Sequence, residues 1–229
     1  MIIGGLRKFS LIDYPGKTSA VVFTVGCDFR CRYCHNPELV IPEEYAREIP
    51  LAEIYDFLES RRGKLDAVCV TGGEPTLHSD LPDTLEKIKS MGFSVKLDSN
   101  GSRPEVLKNI IGRGLVDYIA MDIKAPFEDY EKVVGYPVSA EKLKKSADLI
   151  MKSGVRYEFR TTVAKSLASE GDLAKIAETI AGAENYYLQK FVPAKMNDPL
   201  FSDNFPYSRE ELATIAKKLE KYVKNCRVR

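Results

Sequence analysis

Three cysteines and a histidine fall within nine positions of the stretch GCDFRCRYCHNPEL, residues 26–39. Three metal centres could use such a cluster. Cys31-Arg32-Tyr33-Cys34-His35 has the spacing of a c-type haem attachment site. That linkage is usually made after export, and the N-terminal residues MIIGGLRKFSLIDYPGK lack the cationic start and continuous apolar run of a secretory signal. Zinc favours four ligands arranged as two spaced pairs. Cys34 and His35 are neighbours whose side chains diverge, and no second pair follows: Cys69 falls in an expected buried strand and Cys226 near the C-terminus. Iron and sulfur fit better. A C-x3-C-x2-C loop can bring the thiolates of Cys27, Cys31 and Cys34 to three corners of a [4Fe-4S] cubane, leaving the fourth iron for a substrate. His35 then needs no ligand role; packing or a hydrogen bond accounts for it as readily.

Other chemistry-bearing residues recur at the ends of apolar runs. TGGEP (71–75), DSNG (98–101) and MDIK (121–124) each follow a run rich in β-branched residues, Arg160 lies late in another and Gln189 late in the last. Asp98 and Asp122 in such places are commonly turn-capping residues. In parallel α/β folds, however, the C-terminal strand edge is where sites are built.

The elements that must carry these residues alternate. Buried strands are expected at 19–26, 66–72, 93–99, 116–123, 155–163 and 184–192. Helical spacing appears at Leu51, Ile54, Tyr55 and Leu58, and at Leu81, Leu85 and Ile88 before Gly92. Pro104 sits at the first position of a third helix. Ser139 and Ser169 open two more, and Ser208 with Glu211 has capping-box spacing ahead of the last. Residues 124–137, KAPFEDYEKVVGYP, read as irregular. Such alternation means parallel β/α units in an α/β fold, and six units suit a doubly wound sheet or an incomplete barrel. No linker or low-complexity stretch interrupts residues 1–229, so one domain is expected.

Composition narrows the field further. With 44% hydrophobic and 29% charged residues and a net charge of +1, the 229-residue chain gives no electrostatic reason to expect nucleic acid or an anionic membrane as a partner. No run of about 18 apolar residues exists to span a bilayer. Five cysteines, an odd number, suit a reducing cytoplasmic compartment rather than a disulfide framework.

C-x3-C-x2-C with Tyr33 before the last cysteine, followed by GGEP after the next strand, resembles the signature of the radical S-adenosylmethionine (SAM) superfamily. The resemblance runs through residues 19–192. It implies a full or partial (β/α) barrel, here a partial (β/α)6 TIM-like barrel, and a [4Fe-4S] cluster whose open iron is chelated by S-adenosyl-L-methionine. Reductive cleavage of that cofactor would give methionine and a 5′-deoxyadenosyl radical that takes hydrogen from a substrate. Gly72 and Gly73 would let backbone approach the methionine moiety, and Glu74 would accept hydrogen bonds from its amino group. KFSLIDYPGK (8–17), CRYCHNPEL (31–39) and the DSNG/MDIK pair are similar to glycyl-radical activating enzymes, above all the longer form of the activator of anaerobic ribonucleoside-triphosphate reductase. LDSNG and MDIK look like LDTNG and MDLK of the pyruvate formate-lyase activators. That similarity implies a monovalent cation held by Asp98, Ser99, the Met121 carbonyl and Asp122, with Lys124, and less strongly Arg160, reaching the cofactor.

The implied partners are a glycyl-radical enzyme and a flavodoxin- or ferredoxin-type electron donor. Another glycyl-radical enzyme, a small molecule or a tRNA base could take the substrate's place. A reading of another class is a non-catalytic metalloprotein, for which the GGE loop would have no use.

Overall fold

Apolar β-branched runs become strands and amphipathic runs become helices, in alternation. The computed structural model describes residues 1–45, 47–192 and 206–229. In chain order its elements are β1 (Ile3–Ser10), β2 (Ser19–Thr24), α1 (Leu51–Glu59), β3 (Ala67–Gly72), α2 (Leu81–Ser90), β4 (Ser94–Ser99), α3 (Pro104–Gly112), β5 (Tyr118–Asp122), α4 (Tyr130–Val134), α5 (Ala140–Lys152), β6 (Arg156–Val163), α6 (Glu170–Thr179), β7 (Tyr186–Lys190), α7 (Arg209–Leu219) and β8 (Cys226–Val228). Each expected strand and helix is present, with ends within a few residues of those anticipated. No helix among the described residues is long and apolar enough to cross a membrane.

The contacts divide into two units. The first comprises Met1–Asp28, Asn36–Ser99 and Glu105–Ile119. Within it β2, β3 and β4 pair in parallel, Ser19 opposite Ala67 and Ala67 opposite Ser94. Val21, Ala67 and Cys69 are buried among Tyr14 and Tyr118, whose rings stand 5.7 Å apart. A fully buried valine such as Val21 contributes about 1.5–3 kcal/mol. One strand was not expected: β1 runs antiparallel to β2, with Ile3 opposite Thr24 and Ser10 opposite Ser19. Its sequence IGGLRKFS hides it, since glycines weaken strand propensity and Arg7, Lys8 and Phe9 are all exposed.

The second unit comprises Phe29–His35, Asn100–Pro104 and Ala120–Arg229. Here β6, β7 and β8 pair in parallel, Phe159 opposite Tyr186 and Tyr186 opposite Cys226. Ser139 Oγ caps α5 by accepting from Lys142 N. Both α6 and α7 start with complete capping boxes, Ser169 with Asp172 and Ser208 with Glu211. The three-residue β8 and the short α4, inside the stretch read as irregular, were not foreseen.

Candidate functional site

In the first unit the two motifs meet through backbone. Gly26, the residue before Cys27, has a positive φ of 97°. Its N–H donates to Leu39 O at 2.7 Å, and its carbonyl accepts Glu74 N–H at 2.7 Å. Gly73 N–H donates to Thr24 O at 2.8 Å. The glycines at 72 and 73 are needed for this closeness. A Cβ on Gly73 would stand 2.0 Å from Gly26 O, and one on Gly72, where φ is +119°, 2.4 Å from Thr24 N. The chain entering the cysteine loop is thus fixed to the GGE loop.

Glu74 is fully buried. Its Oε1 accepts from Thr76 N at 3.1 Å, from the Thr76 hydroxyl and from Ser99 Oγ at 2.9 Å. These donors fix the carboxylate's orientation from within the protein, and a carboxylate so held can accept charge-assisted donation from an ammonium group. The sequence had placed Glu74 and Ser99 in different roles; they are direct partners. Asp98, next to Ser99, pairs with the ammonium of Lys96 and accepts from Thr71 Oγ1 at 3.4 Å.

In the second unit the cysteine loop rests on the stretch read as irregular. Arg30 N–H donates to Val134 O at 2.7 Å, and the Phe29 and Tyr130 rings meet edge-on at 6.0 Å. A Cβ on Gly135, whose φ is +64°, would stand 3.0 Å from Arg30 O. Tyr130 in turn holds the MDIK turn: its hydroxyl donates to Asp122 O at 3.2 Å and accepts Lys124 N–H at 3.1 Å. Burial pushes the Tyr130 and Tyr33 hydroxyls above the usual tyrosine value, so both stay protonated. Lys124 Nζ lies 6.0 Å from the centre of the Tyr33 ring. Met121 is buried under Gly101, where a Cβ would stand 2.2 Å from Met121 Cε. His35 is exposed, stacks on Phe191 at 5.6 Å and has its Nε2 3.0 Å from Val192 O, which is a packing role. Gln189 is half-buried on β7, and no hydrogen bond or ion pair among the described residues joins it to these motifs.

Asp122 faces two cations of its own unit: Arg160 Nε at 2.8 Å and Lys124 Nζ at 3.4 Å. Burial raises its carboxyl, but Arg160 and Lys124 outweigh burial and bring it down to about 2. The folded value is therefore below the unfolded value of about 3.9. The stabilisation is fully present above about pH 4 and is lost as pH falls through about 2. Asp122→Asn should remove this part of the acid limb. In urea titrations over that window, wild type should lose stability relative to the variant as pH falls; parallel curves would show that Asp122 is not so depressed.

The donor set fits an iron–sulfur cluster. Cys27, Cys31 and Cys34 are outside any disulfide. Cys34 N–H donates to Cys31 O at 3.1 Å, closing a turn. Burial pushes the Cys31 thiol up to about 11, with Lys124 opposing it, so near neutral pH it is held protonated, and a bound metal's charge would favour the thiolate. Among the described residues no three His, Cys, Asp or Glu side chains converge on one point that could hold a single metal ion. A cubane presents separate iron corners and makes no such demand. Sequence reasoning missed Lys96, Thr76, Tyr130, Glu158 and Arg229. Lys96 and Glu158 left a local signal, each a charged residue in a strand expected to be buried, two residues from Asp98 and Arg160 respectively and hence on their faces.

Comparison with known proteins places this geometry in a class. The family model of the radical SAM superfamily matches residues 21–180, and the chain belongs to that superfamily. A Methanocaldococcus jannaschii protein named for glycyl-radical enzyme activation is 36% identical over 237 residues, covering 100% of this chain and 95% of that protein. The pyruvate formate-lyase-activating enzyme of Clostridium pasteurianum is 28% identical over 245 residues, 97% of this chain and 96% of that one. Among solved structures, Streptococcus suis SuiB bound to S-adenosylmethionine superposes with a TM-score of 0.71 at 13% identity, covering 91% of this chain and 49% of that chain. A domain of a pyruvate-formate lyase-activating enzyme from Bacteroides vulgatus gives 0.57 at 18% identity, covering 72% and 99%. This chain therefore spans about half of SuiB. At such identities the likeness shows the fold, the mostly parallel α/β fold of radical SAM enzymes.

Proposed function

We propose that the chain activates a glycyl-radical enzyme, and that the partner is an anaerobic ribonucleoside-triphosphate reductase. The observation that carries the reading is the join between its two motifs. Gly26 O and Glu74 N–H bind the start of the cysteine loop to a buried carboxylate whose orientation is set by Thr76 and Ser99. An electron carrier has no need of that carboxylate; a methionine-binding site does. When bound, the [4Fe-4S] cluster and S-adenosyl-L-methionine supply reductive cleavage and a carbon radical that abstracts hydrogen.

The chain's own residues position and exclude. Cys27, Cys31 and Cys34 ligate iron. Gly72 and Gly73 serve the packing of the GGE loop on Gly26 and Thr24, not the access for the methionine moiety that their lack of side chains implied, and Glu74 takes up that moiety's amino group. Lys124 is held by Asp122 and faces Tyr33, where it can meet the cofactor's carboxylate or ribose. Tyr33, protonated and buried, closes that wall against water. The full-length likeness to proteins named as activating enzymes supports a glycyl-radical enzyme as the partner, whose backbone glycine is the hydrogen donor; a flavodoxin- or ferredoxin-type protein is the proposed electron source.

The test is anaerobic reconstitution with iron and sulfide, followed by a 5′-deoxyadenosine assay and electron paramagnetic resonance with candidate partners. A glycyl doublet on the reductase is the expected result. 5′-Deoxyadenosine without a doublet on any glycyl-radical enzyme would point to a small molecule or a tRNA base as substrate. No 5′-deoxyadenosine at all would defeat the reading.

A further inference from the structure

Lys96 is a deeply buried charge in the first unit. Its side chain is 2% exposed in the middle of β4, and lysines are almost never so buried without use. Strand periodicity puts it on the same face as Asp98, and its ammonium pairs with Asp98 Oδ1. Thr71 Oγ1 reaches the other oxygen, at 3.4 Å. The Tyr118 ring centre is 6.0 Å from Nζ, and across the register lies Cys69, whose thiol burial pushes up to about 12.

The family resemblance would place a monovalent cation at Asp98, Ser99, Met121 and Asp122. The donor chemistry of this chain does not fit one. Asp98 faces Lys96; Asp122 faces Arg160 and Lys124; the Ser99 hydroxyl is directed to Glu74. Each carboxylate of the supposed cage already meets a cationic side chain from its own unit. An added metal ion at Asp98 would stand within a few ångströms of an ammonium in a dry strand interior, where like charges repel strongly.

We propose that Lys96 is the resident cation at Asp98, so that the protein binds S-adenosyl-L-methionine without a monovalent metal ion there. The inference rests on the cofactor reading above for its binding assay, but not for its cation assay.

The experiment uses the anaerobically reconstituted protein. Cofactor affinity is titrated calorimetrically in buffer whose only cation is choline, then with potassium or sodium added. Thallium(I), a potassium surrogate, is followed by magnetic resonance on the same protein with cofactor withheld. Wild-type affinity should stay constant within about twofold across the buffers, with no bound thallium. Lys96→Met, close in volume but neutral, should bind cofactor about tenfold more weakly in choline and recover with potassium, and should bind thallium. Bound thallium on wild type, a tenfold gain in wild-type affinity from potassium, or a Lys96→Met variant indifferent to potassium would each overturn the proposal. The wild-type measurements decide alone if the variant does not fold. A wild type that binds no cofactor in any buffer defeats the cofactor reading instead, and the thallium signal still decides the role of Lys96.

Discussion

Gly73→Ala is expected to reduce cofactor cleavage at least about a hundredfold and to destabilise the protein by about 3 kcal/mol. The added Cβ would stand 2.0 Å from Gly26 O, 2.6 Å from Gly26 C and 3.1 Å from Leu39 O. All three are backbone atoms, so no side chain can rotate to make room. Relief requires moving either the start of the cysteine loop or the GGE loop by about an ångström, and the Glu74 N to Gly26 O hydrogen bond at 2.7 Å would be lost. A misplacement of that size costs about two orders of magnitude where bound groups must be aligned. Melting curves of the protein and the 5′-deoxyadenosine yield report the two effects separately. Gly112→Ala is the control, because a Cβ there meets nothing within 4 Å. If Gly73→Ala behaves like Gly112→Ala, the junction does not set the site.

The same junction marks how far the sequence could be read. C-x3-C-x2-C and GGE were visible as motifs, and the strand before each was visible as a β-branched run. That Gly26 and Glu74 share a hydrogen bond was not, because backbone contacts between residues 48 positions apart leave no mark on side-chain type. Capping was legible for the opposite reason. Ser169 was legible as a helix start and Ser208 with Glu211 as a capping box because such side chains act within three residues; that Asp172 completes a box with Ser169 was seen only in the structure. Strand β1 failed as a reading because its glycines serve a neighbour: a Cβ on Gly4 would stand 2.6 Å from side-chain atoms of Leu39 and Val25. In 124–137 the single useful turn of helix was masked by prolines and charges, and its worth lies in Tyr130, whose hydroxyl bridges Asp122 O and Lys124 N.

Glu158→Gln should lower the melting temperature by roughly 10 °C, the equivalent of about 3 kcal/mol for a chain of this size. Glu158 is fully buried on β6 and accepts both Nη atoms of Arg229, at 2.8 and 2.9 Å. Arg229 lies flat on Tyr187, 3.5 Å from the ring centre. Arg160 Nη1 is 3.9 Å from the same carboxylate, while Arg160 Nε holds Asp122. Arg229, Glu158, Arg160, Asp122 and Lys124 therefore form one alternating series of charges. Glutamine keeps the shape and one acceptor but takes the anion from Arg229, while Arg160 keeps Asp122. Arg229→Met is the more damaging change by the same logic, since it takes both close donors from a buried carboxylate and leaves it Arg160 at 3.9 Å, and breaking a buried pair costs about 3–5 kcal/mol. The double variant separates this from a surface contact. If the pair acts as buried, Glu158→Gln and Arg229→Met together should cost at least about 2 kcal/mol less than the sum of the two alone. A coupling under about 1 kcal/mol is what an exposed ion pair gives, and finding it would mean that Arg229, with 36% of its side chain exposed, contributes through Tyr187 and not through Glu158.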